Sequence, residues 1–154
     1  MKIIRRLNAD RVNTPAAFIG VASDYLFEFR LACQDSAGNV TNGVVRKLTS
    51  QTGFYWIPDQ NNEPDENGMG IKMTNRFGSD PWPTNRYLNI WVCDFVDGTF
   101  GYSTFPADYN SRPRVDGVVI ETTAFGRVGN VVAPFDKGRT ATHEIGHWLN
   151  LFHI

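Results

Sequence analysis

All three histidines of this 154-residue chain fall within eleven residues near its C-terminal end, at positions 143, 147 and 153. Side chains four residues apart lie one above the other on a helix, so His143 and His147 can present two imidazoles to one metal ion. Glu144 would project beside them, where its carboxylate can take a proton from a metal-bound water. This spacing is typical of a zinc site with a catalytic base attached.

A third ligand has to come from outside that helix, because catalytic zinc sites usually combine three protein ligands with an open position. Asn150 can provide the turn, since Asn tolerates the left-handed conformation that ends a helix. His153 follows three residues later and is the expected third ligand. The alternative is an ordinary amphipathic helix, whose apolar face would consist of Ile145, Trp148, Leu149 and Phe152. No structural need places every histidine of a chain in this pattern, so metal binding is favoured.

Composition and charge limit the other possibilities. With 154 residues and 42% hydrophobic content, the chain can bury one core, and a single domain is expected. Fifteen basic and sixteen acidic side chains give a formal net charge of −1 without a basic block, so no nucleic-acid or membrane partner is expected. No apolar run reaches the length of a transmembrane helix, and the first six residues are too short and too charged for a signal peptide.

Hydrophobic periodicity and turn residues predict the elements that must position the histidines. Two helical pieces are expected near the start, at residues 5–14 and 15–21, and the metal-bearing helix is expected to start within 136–140 and end near 149. Strands are predicted at residues 25–31, 44–48, 86–93, 100–105 and 116–122, with 86–93 apolar enough to be central in a sheet. Strands without regular βαβ alternation indicate an α+β domain.

Two further features allow alternatives. Cys33 and Cys93 fall in predicted strands, and free buried thiols are favoured over a disulfide, which would require the two strands to be close. Polar residues alternate through the loop at 58–70 and resemble a calcium-binding loop. Pro64 stands where the tight-turn Gly is needed and Gly70 where the bidentate Glu belongs, so a solvated loop is favoured over a Ca²⁺ site.

Residues 138–153 resemble the extended zinc motif of the metzincin clan, in the form found in the pappalysin family. Residues 6–10 with 13–15, 85–93, 101–106 and 116–120 are similar to that family's sequences in the same order. The resemblance therefore covers nearly the whole chain.

The resemblance implies a secreted zinc endopeptidase with a zincin/metzincin-like fold: a twisted mixed sheet, a backing helix and an active-site helix under an extended substrate cleft. His143, His147 and His153 would be the ligands of one zinc ion, and Glu144 would be the general base that activates the zinc-bound water for peptide-bond hydrolysis. The expected partner is a peptide or protein substrate. It would lie along an upper edge strand, for which the candidate is Thr123, Ala124 and Phe125. An ordinary edge strand without that role is an equal alternative.

Departures from the family pattern add a further expectation. Asn150 stands where metzincins usually have Gly. The chain ends one residue after the third ligand, before the methionine turn, and it begins late in the backing helix. Residues 1–154 are therefore expected to be the N-terminal, upper subdomain of a catalytic domain, truncated at both ends. The alternative function is a noncatalytic zinc-binding or interaction module that is inactive as an isolated fragment.

Overall fold

A mixed three-stranded sheet with one helix packed on it forms the centre of the protein. The computed structural model describes residues 9–23, 27–56 and 69–153. Along the chain the strands are β1 (Ile90–Cys93), β2 (Gly101–Ser103) and β3 (Val118–Glu121), and the α-helices are α1 (Pro106–Tyr109) and α2 (Arg139–Trp148). Short 3₁₀ helices cover Ala9–Asn13, Ala16–Val21, Gly70–Lys72, Thr74–Arg76, Pro113–Val115 and Thr122–Ala124.

Strand β3 lies in the middle of the sheet. It pairs in parallel with β1 and antiparallel with β2, in the order β1-β3-β2. Val118, Val119 and Ile120 are all fully buried, which explains the uninterrupted β-branched run, since a strand covered on both faces does not alternate with polar residues. Strands β1 and β2 are the two outer strands of the described sheet, and β2 is the antiparallel one.

Side chains of β3 point alternately to the two faces of the sheet and divide the core in two. One cluster contains Phe54, Ile71, Trp91, Cys93, Tyr102 and Val119. The other contains Val118, Ile120, Ala124, Ala141 and Ile145, the last two contributed by α2. Full burial of an aliphatic side chain of this size contributes about 1.5–3 kcal/mol, so Val118, Ile120 and Ile145 attach α2 firmly to the sheet.

The predicted α+β class is confirmed: a mixed sheet carries a C-terminal helix. The helix predicted to start within 136–140 and end near 149 is confirmed as α2. The strands predicted within 100–105 and 116–122 are confirmed as β2 and β3, and the helical piece at 15–21 as the 3₁₀ helix Ala16–Val21. The strand predicted at 86–93 is present only as Ile90–Cys93, and it lies beside β3 instead of at the centre. Of the helix predicted at 5–14, the described part is the 3₁₀ helix Ala9–Asn13.

Two strand predictions were wrong. Residues 27–31 and 44–48 are not strands, and Phe27, Leu31, Val44, Val45 and Leu48 are exposed. Of the apolar residues in these two segments, Phe29 packs against the core cluster of β3 and α2, and neither segment pairs with a described strand. Strand propensity is a preference for a half-buried pleated surface more than for the backbone itself. Tyr25 and Leu26 lie outside the described residues, so their part of the first prediction stays untested.

Both cysteines are free thiols, as predicted, but only Cys93 is buried. The burial predicted for Cys33 was wrong because no strand forms around it. Most of the loop that resembles a calcium site, residues 58–68, lies outside the described residues. Among the described helices, none is both long and apolar enough to cross a membrane.

Candidate active site

The three histidine side chains converge on one point at the end of α2. The Nε2 atom of His147 lies 3.1 Å from Nε2 of His143 and 3.1 Å from Nε2 of His153. The third side of the triangle, between His153 and His143, is 3.0 Å. The sequence predicted this grouping, and the structure brings all three predicted ligands together.

A turn at Asn150 delivers His153 to this point. Asn150 has φ of 70°, the left-handed conformation expected for it. Its N–H donates to the His147 carbonyl at 2.8 Å, and the Leu151 N–H donates back to the Gly146 carbonyl at 2.9 Å. The chain therefore reverses tightly over the last turn of α2.

A hydrogen bond fixes the tautomer of His147. Its Nδ1 lies 2.7 Å from the Leu151 carbonyl oxygen, which can only accept, so Nδ1 carries the proton. The lone pair of Nε2 then faces the centre of the triangle. Burial, followed by the neighbouring imidazoles of His147 and His153, lowers the pKa of His143, which favours its neutral form. Neutral imidazole is the metal-binding form.

These distances fit a tetrahedral metal ion. A zinc ion about 2.0–2.1 Å from each nitrogen would hold the three nitrogens roughly 3.3 Å apart. The observed separations are 3.0–3.1 Å. Three lone pairs that face one another at this distance repel unless a cation lies between them. Of the groupings of His, Cys, Asp and Glu side chains in the described residues, this triad is one that could hold a metal.

Glu144 lies between the helix and strand β2. Its side chain is 7% exposed, and burial raises the pKa of the carboxyl to about 7. The carboxylate packs against the backbone of Gly101, at the start of β2. The helical spacing that brings His143 and His147 together thus points Glu144 to the sheet side of the triad.

An aromatic pair lies against the histidine triad. Phe105 stacks on Phe152 with ring centroids 4.8 Å apart, and its ring is 5.3 Å from that of His147. Phe152 remains 68% exposed. Together with the three histidines it lines an open cleft of about 550 Å³, completed by Thr142, Gly146 and Leu151.

A buried polar network holds the C-terminal end of α2. The indole N–H of Trp148 donates to both carboxylate oxygens of Asp116, at 3.1 and 3.2 Å. The Thr104 hydroxyl donates to the same carboxylate at 2.9 Å. The loop that carries Asp116 is held in turn by the buried amino group of Lys72, which donates to the Val115 carbonyl at 2.5 Å. This network ties the residue after His147 to the connection between β2 and β3.

Comparison with known proteins agrees with this geometry, although no protein-family model matches the chain. Over 142 residues, 86% of the chain, it is 41% identical to an extracellular metalloprotease of Verticillium alfalfae. It is 30% identical over 142 residues to extracellular metalloprotease 1 of Coccidioides posadasii. The mature mirolysin of Tannerella forsythia, solved with a cleaved peptide, matches 99% of the chain with a TM-score of 0.85 and 46% identity. These comparisons confirm the resemblance to the pappalysin family of metzincin metallopeptidases.

The matched region is a larger share of this chain than of its relatives. The chain spans 47% and 46% of the two fungal proteins and 53% of the mirolysin chain. It therefore corresponds to about half the length of the proteins it matches. The names of these relatives imply a metal ion, and the histidine triad offers a place for one.

One predicted part of the pappalysin site has a different backbone. Thr123, Ala124 and Phe125 were expected in an upper edge strand, but Thr122–Ala124 form a 3₁₀ turn and Ala124 is fully buried. The strand prediction was wrong because the Glu121 carboxylate accepts from the Thr123 N–H and turns the chain after β3. Contact of these three residues with a substrate stays a prediction.

Sequence reasoning did not identify Gly101, Phe105 or Asp116 as residues of the site. Each is far from the zinc motif in the chain and reaches it only through the pairing of β2 with β3. Trp148 was assigned to the apolar face of the helix, and nothing local reveals that its N–H has a buried acceptor. The weak signal available was Asp116 itself, an acidic residue directly before an apolar strand.

Proposed function

We propose that this chain is the zinc-binding part of an endopeptidase, in which His143, His147 and His153 hold one zinc ion and Glu144 is the general base. The single observation that carries the proposal is the convergence of three Nε2 atoms, 3.0–3.1 Å apart, at the end of the helix that also carries a buried Glu. Three imidazoles leave a coordination position open, which is the arrangement of catalytic zinc sites.

The chain's own residues have defined tasks in this reaction. Bound zinc would act as a Lewis acid on the scissile carbonyl and lower the pKa of a water molecule. The Glu144 carboxylate accepts the proton of that water during attack and then donates it to the departing amine. The bond from His147 Nδ1 to the Leu151 carbonyl keeps this ring oriented, as outer hydrogen bonds commonly do for metal ligands.

The substrate can bind by strand addition. Within the described sheet β2 is an outer strand that pairs only with β3, and its Gly101 lies next to Glu144. An extended peptide can therefore hydrogen-bond to the backbone of Gly101–Ser103, with its scissile bond near the triad. In this arrangement Thr123, Ala124 and Phe125 would contribute from the turn after β3 instead of from a strand.

The relatives support a location and a substrate class for this protein. Proteins similar to this chain are named extracellular metalloproteases, and mirolysin has been solved with a cleaved peptide. We propose a secreted protein that acts on peptides or proteins. The formal charge of −1, without a basic block, offers no attraction for nucleic acid or anionic membranes.

Two matched substitutions test this function in the full-length protein. His147→Ala should remove most of the zinc found by metal analysis of the purified wild type. Glu144→Gln keeps the size of the side chain and removes its basicity, so zinc should stay at one equivalent while peptide cleavage falls by about 10²–10⁴-fold.

Each possible result tests a different part of the proposal. Full zinc occupancy in His147→Ala would contradict the ligand assignment, and wild-type cleavage by zinc-replete Glu144→Gln would contradict the role of the base. Zinc-replete wild type without any cleavage of a quenched peptide library would instead favour a noncatalytic zinc-binding module.

A further inference from the structure

Strand β2 begins with Gly101, and the backbone conformation there does not require a glycine. The φ angle of Gly101 lies outside the left-handed region, so other residues could adopt it. The space around Gly101 is the constraint. A Cβ atom at this position would lie 3.0 Å from Cγ and 3.1 Å from Oε1 of Glu144, and 2.9 Å from the Val119 carbonyl oxygen.

We propose that Gly101 is a positioning residue for Glu144: the missing side chain leaves the space in which the base lies against the edge of the sheet. The inference rests on the proposed role of Glu144 and adds how that carboxylate is placed. Any larger residue at 101 would occupy the space beside Cγ and Oε1 of Glu144.

The surroundings determine how Glu144 would respond to a Cβ at 101. The side chain is 7% exposed, and α2 is fixed to the sheet through Ile145 and Ala141 on adjacent turns. The helix backbone therefore resists displacement, and the strain falls on the side-chain torsions of Glu144. An error of about 1 Å in a catalytic group can lower the rate on the order of 10²-fold. The three atoms nearest to a Cβ at 101 belong to Val119 and Glu144, so the three histidines should keep their positions.

The decisive experiment is a double-mutant cycle on stability, which needs no metal. Gly101→Ala should lower the Tm of the metal-free full-length protein by about 4–8 °C, the size of effect expected from overpacking. In a Glu144→Ala background the same substitution should cost clearly less, because the contacts with Cγ and Oε1 of Glu144 are removed while the 2.9 Å contact with the Val119 carbonyl remains. Gly20→Ala is the control, since no atom lies within 4 Å of a Cβ at that position.

Equal Tm losses in the two backgrounds would overturn the proposal and assign Gly101 a purely structural role. If Gly101→Ala alone does not fold, recovery of folding in Gly101→Ala/Glu144→Ala supports the proposal. Failure of that double variant, while Glu144→Ala folds, overturns it.

Kinetics of the zinc-loaded protein give the second readout. Gly101→Ala should lower kcat by about 10–100-fold with KM nearly unchanged and zinc still at one equivalent. In a Glu144→Gln background the further loss should be under about threefold, because a base that is already removed cannot be misplaced. A full additional loss there would overturn the proposal. Absence of cleavage by the wild type would refute the proposed function, whereas the stability cycle would still decide the role of Gly101.

Discussion

The indole N–H of Trp148 is the one donor on α2 that reaches the buried Asp116 carboxylate in the described part of the chain. It lies 3.1 and 3.2 Å from the two oxygens, and Asp116 is 4% exposed. Trp148→Phe removes this donor and keeps an aromatic ring. The Thr104 hydroxyl would remain as a donor to Asp116, so the carboxylate would lose part of its hydrogen bonding and not all of it.

The expected cost follows from the type of bond. A hydrogen bond to a charged group contributes about 1.5–3 kcal/mol, and a buried acceptor that loses its donor costs a similar amount. For a protein of 150–250 residues, 1 kcal/mol corresponds to about 2–4 °C in Tm. Trp148→Phe should therefore lower Tm by roughly 3–12 °C beyond the loss from packing alone. Because Trp148 directly follows His147, zinc should also dissociate faster from this variant.

The control has to remove the same atoms without a hydrogen bond. Trp56→Phe meets this condition, since the Trp56 indole nitrogen is buried and has no hydrogen-bond partner among the described residues. Both variants and the wild type would be unfolded by urea and by heat. A difference below about 0.5 kcal/mol between Trp148→Phe and Trp56→Phe would refute the assigned strength of the link to Asp116.

Three further predictions concern stability. Burial, and then the charge of Glu121, raises the pKa of the Cys93 thiol from 9.0 to about 12. Between pH 9.0 and 12 the folded thiol stays protonated while the unfolded one ionises. The contribution of Cys93 to the free energy of unfolding is therefore complete below pH 9.0 and is lost as pH rises towards 12. Between about pH 8 and pH 10.5, urea unfolding should show a smaller loss of stability for Cys93→Ala than for the wild type. Asn150→Gly should be nearly neutral in thermal unfolding, whereas Asn150→Val should cost roughly 1–2 kcal/mol, because φ is 70° there; equal costs would contradict the left-handed turn. Gly78→Ala would place a Cβ 2.2 Å from two carbonyl oxygens and should cost at least about 1–3 kcal/mol by calorimetry, and an unchanged Tm would show that this turn yields easily.

The grouping of the three histidines was predictable from the sequence because its geometry is local. Helical periodicity alone places His143 above His147, and a left-handed residue at 150 returns the chain, so the triad is formed within eleven residues. The position of Glu144 beside them follows from the same periodicity. Strand β3 was predictable as a strand because of its uninterrupted β-branched run, but its central position was not, since residues 86–93 were predicted to be central.

Strand predictions failed where the outcome depended on distant partners. Residues 27–31 and 44–48 have apolar residues suited to a sheet, but whether a strand forms depends on a neighbouring strand and a covered face. The same reason separates 116–122, which pairs on both sides as β3, from 122–125, where one carboxylate turns the chain. The strand propensity of these segments is similar, but the neighbouring strands and side chains that they meet differ.

The sequence by itself determined that His143, His147, His153 and Glu144 come together, because these residues share one helix and one turn. Only the tertiary structure decided what surrounds them: Gly101 against Glu144, Phe105 beside His147, and Asp116 bonded to Trp148. These contacts join residues 32–43 positions apart in the chain. Their physical basis is the antiparallel pairing of β2 with β3 and the packing of α2 on that sheet, which no local pattern of residues specifies.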